Sequence, residues 1–141
     1  MKKFIILLVI IILIFFIYRA WNRGEMGNDL LPSPVTVTLA TQNQSGETGQ
    51  ALLTEVDGQV KVVMNITDTP LGVAQPAHIH RGSCTTVGEV LYTLSPVTEG
   101  VSETTITATL LALKSSLPLA INVHKSVAEI GTYVACGDIA I

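Results

Sequence analysis

The stretch QALLTEVDGQVKVVMNI, residues 50–66, reads as two β-strands joined by a tight turn. Asp57-Gly58 is a strong hairpin signal, because both central residues of a type I′ turn take positive φ and an Asp-Gly pair tolerates that geometry. Beyond the turn, Val60, Val62, Met64 and Ile66 fall on one face of the strand. The same texture continues outward. VTVTLA (35–40) alternates before the hairpin, and AHIH (77–80), EVLYTL (89–94), ETTITAT (103–109), LAINVH (119–124) and TYVACGDI (132–139) follow it. LLALKSS (110–116) is the one helical candidate among them. Eight short strands separated by turn residues predict an all-β domain over residues 35–141, an eight-stranded antiparallel sandwich or barrel.

From Phe4 to Tyr18 the chain reads FIILLVIIILIFFIY, with no polar side-chain atom before the tyrosine hydroxyl. Fifteen helical residues rise about 22 Å, short of the roughly 30 Å hydrocarbon core. Lys2, Lys3, Arg19 and Arg23 can snorkel from either end, and Trp21 suits the interface. Residues 1–21 are therefore expected to form an N-terminal transmembrane helix, an uncleaved signal-anchor whose lysines stay inside. The competing reading is a cleaved signal peptide, although RAWNRGEMGN offers no A-x-A-like site. Either way the domain is exported: anchored on the extracytoplasmic side, periplasmic or at the cell surface, or secreted if the segment is cleaved. Residues 22–34, rich in Gly, Asn and Pro, are expected to be a flexible linker.

From Gly24 onward, Lys61, Arg81, Lys114 and Lys125 face eleven acids, a net charge of −7. An acidic domain with few aromatics argues against a nucleic-acid partner. Cys84 and Cys136, an even pair in an exported domain, read as one disulfide; the alternative is two buried free thiols. Asn43 and Asn65 begin N-x-S/T patterns, which are acceptors in a host that glycosylates exported proteins.

The chain has three histidines. His78 and His80, two apart on a strand, share a face, while Ala77 and Ile79 point the other way. Alone, such a pair is more often surface decoration than a ligand set. His124 changes the balance: it ends LAINVH, shares its face with Asn122, and leaves Ile121 and Val123 for the core. All three imidazoles thus fall on non-core faces near strand ends, the pattern of a metal held outside a barrel. If they form one site, their ring nitrogens are expected within about 4 Å of one another, given metal–nitrogen bonds near 2 Å.

AHIHRGSC, VGEVLYTL, AINVHKS and GTYVACGDIAI, in that order, resemble the copper/zinc superoxide dismutase family, and AHIHRG is also close to the A-H-I-H-G segment of the CHRD domain. The resemblance covers about residues 35–141. It implies an eight-stranded Greek-key barrel, a Cys84–Cys136 disulfide, and His78, His80 and His124 as three copper ligands. The departures matter equally. The family's histidine that bridges to zinc has no counterpart between His80 and His124. The zinc loop is missing, with Thr86 and Glu89 standing at two of its ligand positions, so zinc binding in the family's manner is not expected. The loop that steers superoxide is cut to SVAEIG, residues 126–131, and Tyr133 replaces the anion-docking arginine. Arg81 and Lys125, each following a candidate ligand, are candidates for anion attraction or ordinary solvated charges.

The expectation is a membrane-anchored, exported domain binding one copper ion through three histidines, with slow superoxide dismutation or copper sequestration as its activity. The alternative is a metal-free CHRD-like structural or interaction module without enzymatic activity.

Overall fold

The computed structural model describes residues 12–15, 17–19 and 34–141, and compactness divides the chain into two units, Met1–Leu30 and Leu31–Ile141. Residues 12–15 and 17–19 are helical, and no helix among the described residues is long and apolar enough to cross a membrane. The rest of the expected 1–21 anchor, and the linker up to residue 33, lie outside the described residues.

The second unit is all-β. Its strands are β1 (Val35–Thr41), β2 (Thr48–Val56), β3 (Gln59–Thr67), β4 (Gln75–Ser83), β5 (Thr86–Val97), β6 (Val101–Ile106), β7 (Leu119–His124) and β8 (Tyr133–Asp138). A short helix, α1 (Leu110–Ser115), precedes β7. Asp57 and Gly58 take φ of 51° and 74°, the two left-handed positions that the β2–β3 hairpin requires, and Val56 pairs with Gln59 across them.

The strands form one sheet in the order β5-β4-β7-β8-β1-β2-β3-β6, antiparallel throughout. Its two edges meet. Thr98 and Val101 pair across the turn between β5 and β6, Ser95 N–H donates to Thr104 Oγ1 at 2.7 Å, and Ser102 Oγ donates to the Ser95 carbonyl at 2.7 Å. The result is a nearly closed barrel. Because β7 returns to lie beside β4, the run β7-β4-β5-β6 has Greek-key order.

Period-two alternation fills the interior. Val35, Val37 and Leu39 of β1, Val60, Val62, Met64 and Ile66 of β3, and Ile79 and Ile121 of the site-bearing strands all join one core. Helix α1 adds Leu110 and Leu113 to it; Thr109 caps the helix by accepting from Ala112 N–H, and Leu110 N–H donates to Glu55 Oε2 at 2.7 Å. Strands β4 and β5 run longer than AHIH and EVLYTL, and β6 stops at Ile106, short of the expected Thr109, because Thr109 serves the helix instead.

Cys84 and Cys136 are disulfide-bonded, with Cα atoms 5.8 Å apart, so the alternative of two free thiols is ruled out. The bridge ties the β4–β5 turn to β8 across a sequence separation of 52. In the chain-entropy treatment a loop of that length stabilises by about 4 kcal/mol. Replacing both cysteines with serine is expected to lower the unfolding free energy by about that amount, read as a reduced denaturant midpoint. An unchanged midpoint would remove the disulfide from the account of stability.

Candidate metal centre

Strands β4 and β7 pair in unbroken register, Ala77 with Val123, His78 with Asn122, Ile79 with Ile121 and His80 with Ala120. Ala77, Ile79, Ile121 and Val123 belong to the core, so alternation turns His78, His80, Asn122 and His124 to the opposite face. That face is not bare. His80 and His124 are buried at 5% and 3% exposure, and only His78 is partly exposed. The cover comes from β8 and the loop before it. One extra residue in β8 sets Tyr133 opposite His124, with ring centroids 5.0 Å apart; the Tyr133 ring also stands 6.3 Å from His80.

One ring nitrogen from each of His78, His80 and His124 lies within 4.8 Å of the others. His78 Nδ1 and His124 Nε2 are hydrogen-bonded at 2.9 Å. The widest separation exceeds the about 4 Å expected. Three imidazoles bound in a plane at about 2 Å from one ion hold their nitrogens about 3.5 Å apart, so binding would open the close pair and draw the widest in by about 1 Å.

Two rings are oriented by backbone carbonyls. His80 Nδ1–H donates to the Gly88 carbonyl at 3.0 Å, and His124 Nδ1–H donates to the Ile130 carbonyl. Each donation fixes the tautomer and leaves the Nε2 lone pair available, the arrangement that outer partners impose on metal-binding histidines. The lone pair on His124 accepts from His78. The Nε2 of His80 is buried and has no partner among the described residues. A buried polar atom left unsatisfied costs about 1–3 kcal/mol, and a metal ion at this point would satisfy it. The three histidines can therefore hold a metal ion.

Electrostatics favours the ligand form. Burial pushes the His78 pKa below its ordinary value, reinforced by His124 and His80. Burial also lowers that of His124, against the Ile130 carbonyl, which raises it, and with a smaller lowering from His80. Both are neutral imidazoles at neutral pH, as metal binding requires. A histidine with a depressed native pKa binds fewer protons folded than unfolded, so stability falls as pH drops below the unfolded value near 6.5 and levels off once the folded ring protonates.

Arg81 and Lys125 flank the centre but carry partners. Arg81 Nε meets Glu89 Oε1 at 2.9 Å, and Lys125 Nζ meets Glu129 Oε1 at 2.8 Å, both exposed pairs. Each offsets the positive potential that an anion would feel. Thr86 starts β5 and Glu89 is committed to Arg81, so neither joins the histidine cluster.

The sequence reading passed over Glu47 and Gln75. Both are buried, and Gln75 Nε2 donates to Glu47 Oε1 at 3.0 Å. Gln75 was legible: it shares the parity of Ala77 and Ile79 and so belongs to the inward face. Glu47, in the turn before β2, carried no comparable signal. A cleft of about 360 Å³, lined by Glu47, Asp68, Lys125, Thr132 and Tyr133 among others, meets the centre at Tyr133.

Between His80 and Cys84, Gly82 takes φ of +91°, and a Cβ there would stand 2.1 Å from the Thr86 carbonyl oxygen. This close approach brings the start of β5 against β4 and so helps place the Gly88 carbonyl that orients His80. Two outcomes follow. The metal-free protein should lose stability between pH 7.5 and 5.5, in denaturant midpoints, and a His78→Gln, His124→Gln double variant should lose less over the same interval. Gly82→Ala should cost about 2 kcal/mol or more in thermal or denaturant unfolding, since backbone strain and a backbone clash act together.

Compared with known proteins, the chain matches no family model and no curated protein.

Proposed function

We propose that residues 35–141 form an exported copper-binding domain that holds one copper ion through His78, His80 and His124. The observation that carries this reading is the buried Nε2 of His80, without a partner among the described residues, beside two further imidazoles with lowered pKa. Imidazole suits copper and zinc, and copper binds the tighter of the two divalent ions. The resemblance to the copper/zinc superoxide dismutase family points the same way, and its zinc ligands are missing here. Copper, when bound, supplies one-electron redox chemistry.

The protein's own groups define what such a centre can do. The Gly88 and Ile130 carbonyls hold two rings in the ligand tautomer, Tyr133 packs against two of the three, and the partly exposed His78 leaves one side open to a small molecule. That opening favours a second reading, superoxide dismutation. Against a fast enzyme stand the absent bridging histidine, the ion-paired Arg81 and Lys125, and the acids Glu47 and Asp68 in the adjoining cleft. Copper sequestration is the primary reading and dismutation a slow accompaniment. The disulfide supports an oxidising, extracytoplasmic location, with the apolar N-terminal segment as the proposed membrane tether.

The full chain, exposed to copper and then freed of loose metal, should retain one copper per molecule. His124→Ala should weaken binding by more than the roughly 10–100-fold that loss of an outer partner costs. Superoxide consumption by the loaded protein should fall far below the diffusional ceiling of about 10⁹ M⁻¹s⁻¹. A chain that takes up no copper would instead be the metal-free, CHRD-like module.

A further inference from the structure

Asn122 is fully buried, and neither its Oδ1 nor its Nδ2 has a hydrogen-bond partner among the described residues. A carboxamide sealed with both ends unpaired is unusual, since buried amides nearly always find partners. Its place in the sheet is specific. Asn122 is the Cα partner of His78 on β4 and of Cys136 on β8, stands two residues before His124 on the same face of β7, and lies diagonal to His80. It therefore borders all three histidines from the sheet side, and the strand that carries the disulfide closes over its other flank. The orphaned His80 Nε2 is the third unsatisfied atom of the same face. Nothing in the fold requires an amide here. An apolar residue would cover the core as well and would spare the unsatisfied burial.

We propose that Asn122 is the fourth ligand-bearing side chain of the centre, offering its carboxamide oxygen from the sheet side to an ion held by the three imidazoles. This rests on the copper-binding reading above and adds a selectivity to it. Three imidazoles satisfy Cu(I) in trigonal geometry, whereas Cu(II) favours tetragonal N,O sets, for which a fourth, harder donor is needed. Asn122 thus favours the oxidised, divalent ion over the reduced one.

The test compares Cu(II) and Cu(I) affinities of the full chain with those of Asn122→Val and Asn122→Asp, using each copper ion alone in competition with a chelator. Asn122→Val should weaken Cu(II) binding by about 10–100-fold and leave Cu(I) binding within about threefold. Each factor of ten would raise the copper reduction potential by about 59 mV. Without metal, Asn122→Val should unfold at the same or higher denaturant concentration than the parent, because it removes an unsatisfied buried amide. A residue with a merely structural role would show the opposite: lower metal-free stability and no change in the Cu(II)/Cu(I) ratio. If the valine variant does not fold, Asn122→Asp carries the test, and should strengthen Cu(II) binding about tenfold with Cu(I) unchanged. Equal Cu(II) affinity in parent and variants overturns the role of Asn122 while leaving the three-histidine site intact. No copper uptake by the parent chain overturns both.

Discussion

The pairing of β4 with β7 is the constraint on which the candidate centre depends. Two histidines two apart on one strand share a face wherever they occur, but they form half a site until another strand brings a third. The ladder from Ala77–Val123 to Arg81–Leu119 does that without a bulge, and it commits Ile79 and Ile121 to the core as it does so. A one-residue slip of either strand would turn its imidazoles into the barrel and its isoleucine outward. Hydrophobic burial inside therefore enforces the register that the polar face outside requires.

The irregularities lie where the polar face has to be adjusted. The β4–β5 ladder shifts register three times, and β8 carries its extra residue opposite the end of β7. These departures deliver the Gly88 carbonyl to His80 and the Tyr133 ring to His124. The loop of residues 126–131 supplies the Ile130 carbonyl that orients His124. In this structure it is a positioning device.

Burial distinguishes this centre from surface histidines. Two imidazoles and the Asn122 amide are almost wholly withdrawn from water, with one imidazole nitrogen and both amide atoms left unpaired among the described residues. Burying polar groups unpaired is costly, and the barrel's continuous core together with a disulfide across 52 residues supplies stability against that cost. The two nearby cations are each matched by a carboxylate, so the surroundings of the centre favour holding a cation over attracting an anion.

The sequence by itself determined the strands, the Asp57-Gly58 turn, the inward faces and the common outward face of the three histidines, because alternation and turn geometry are local properties of the chain. Hairpin closure at Glu99 was not legible, since a glutamate at φ of 50° departs from the usual turn residues. Only the tertiary structure decided that the outward face is covered, that Gly88 and Ile130 fix two tautomers, and that Asn122 is sealed beside the imidazoles with no partner among the described residues. Those are properties of segments far apart in the chain, and they arise only when the Greek-key return of β7 lays them side by side.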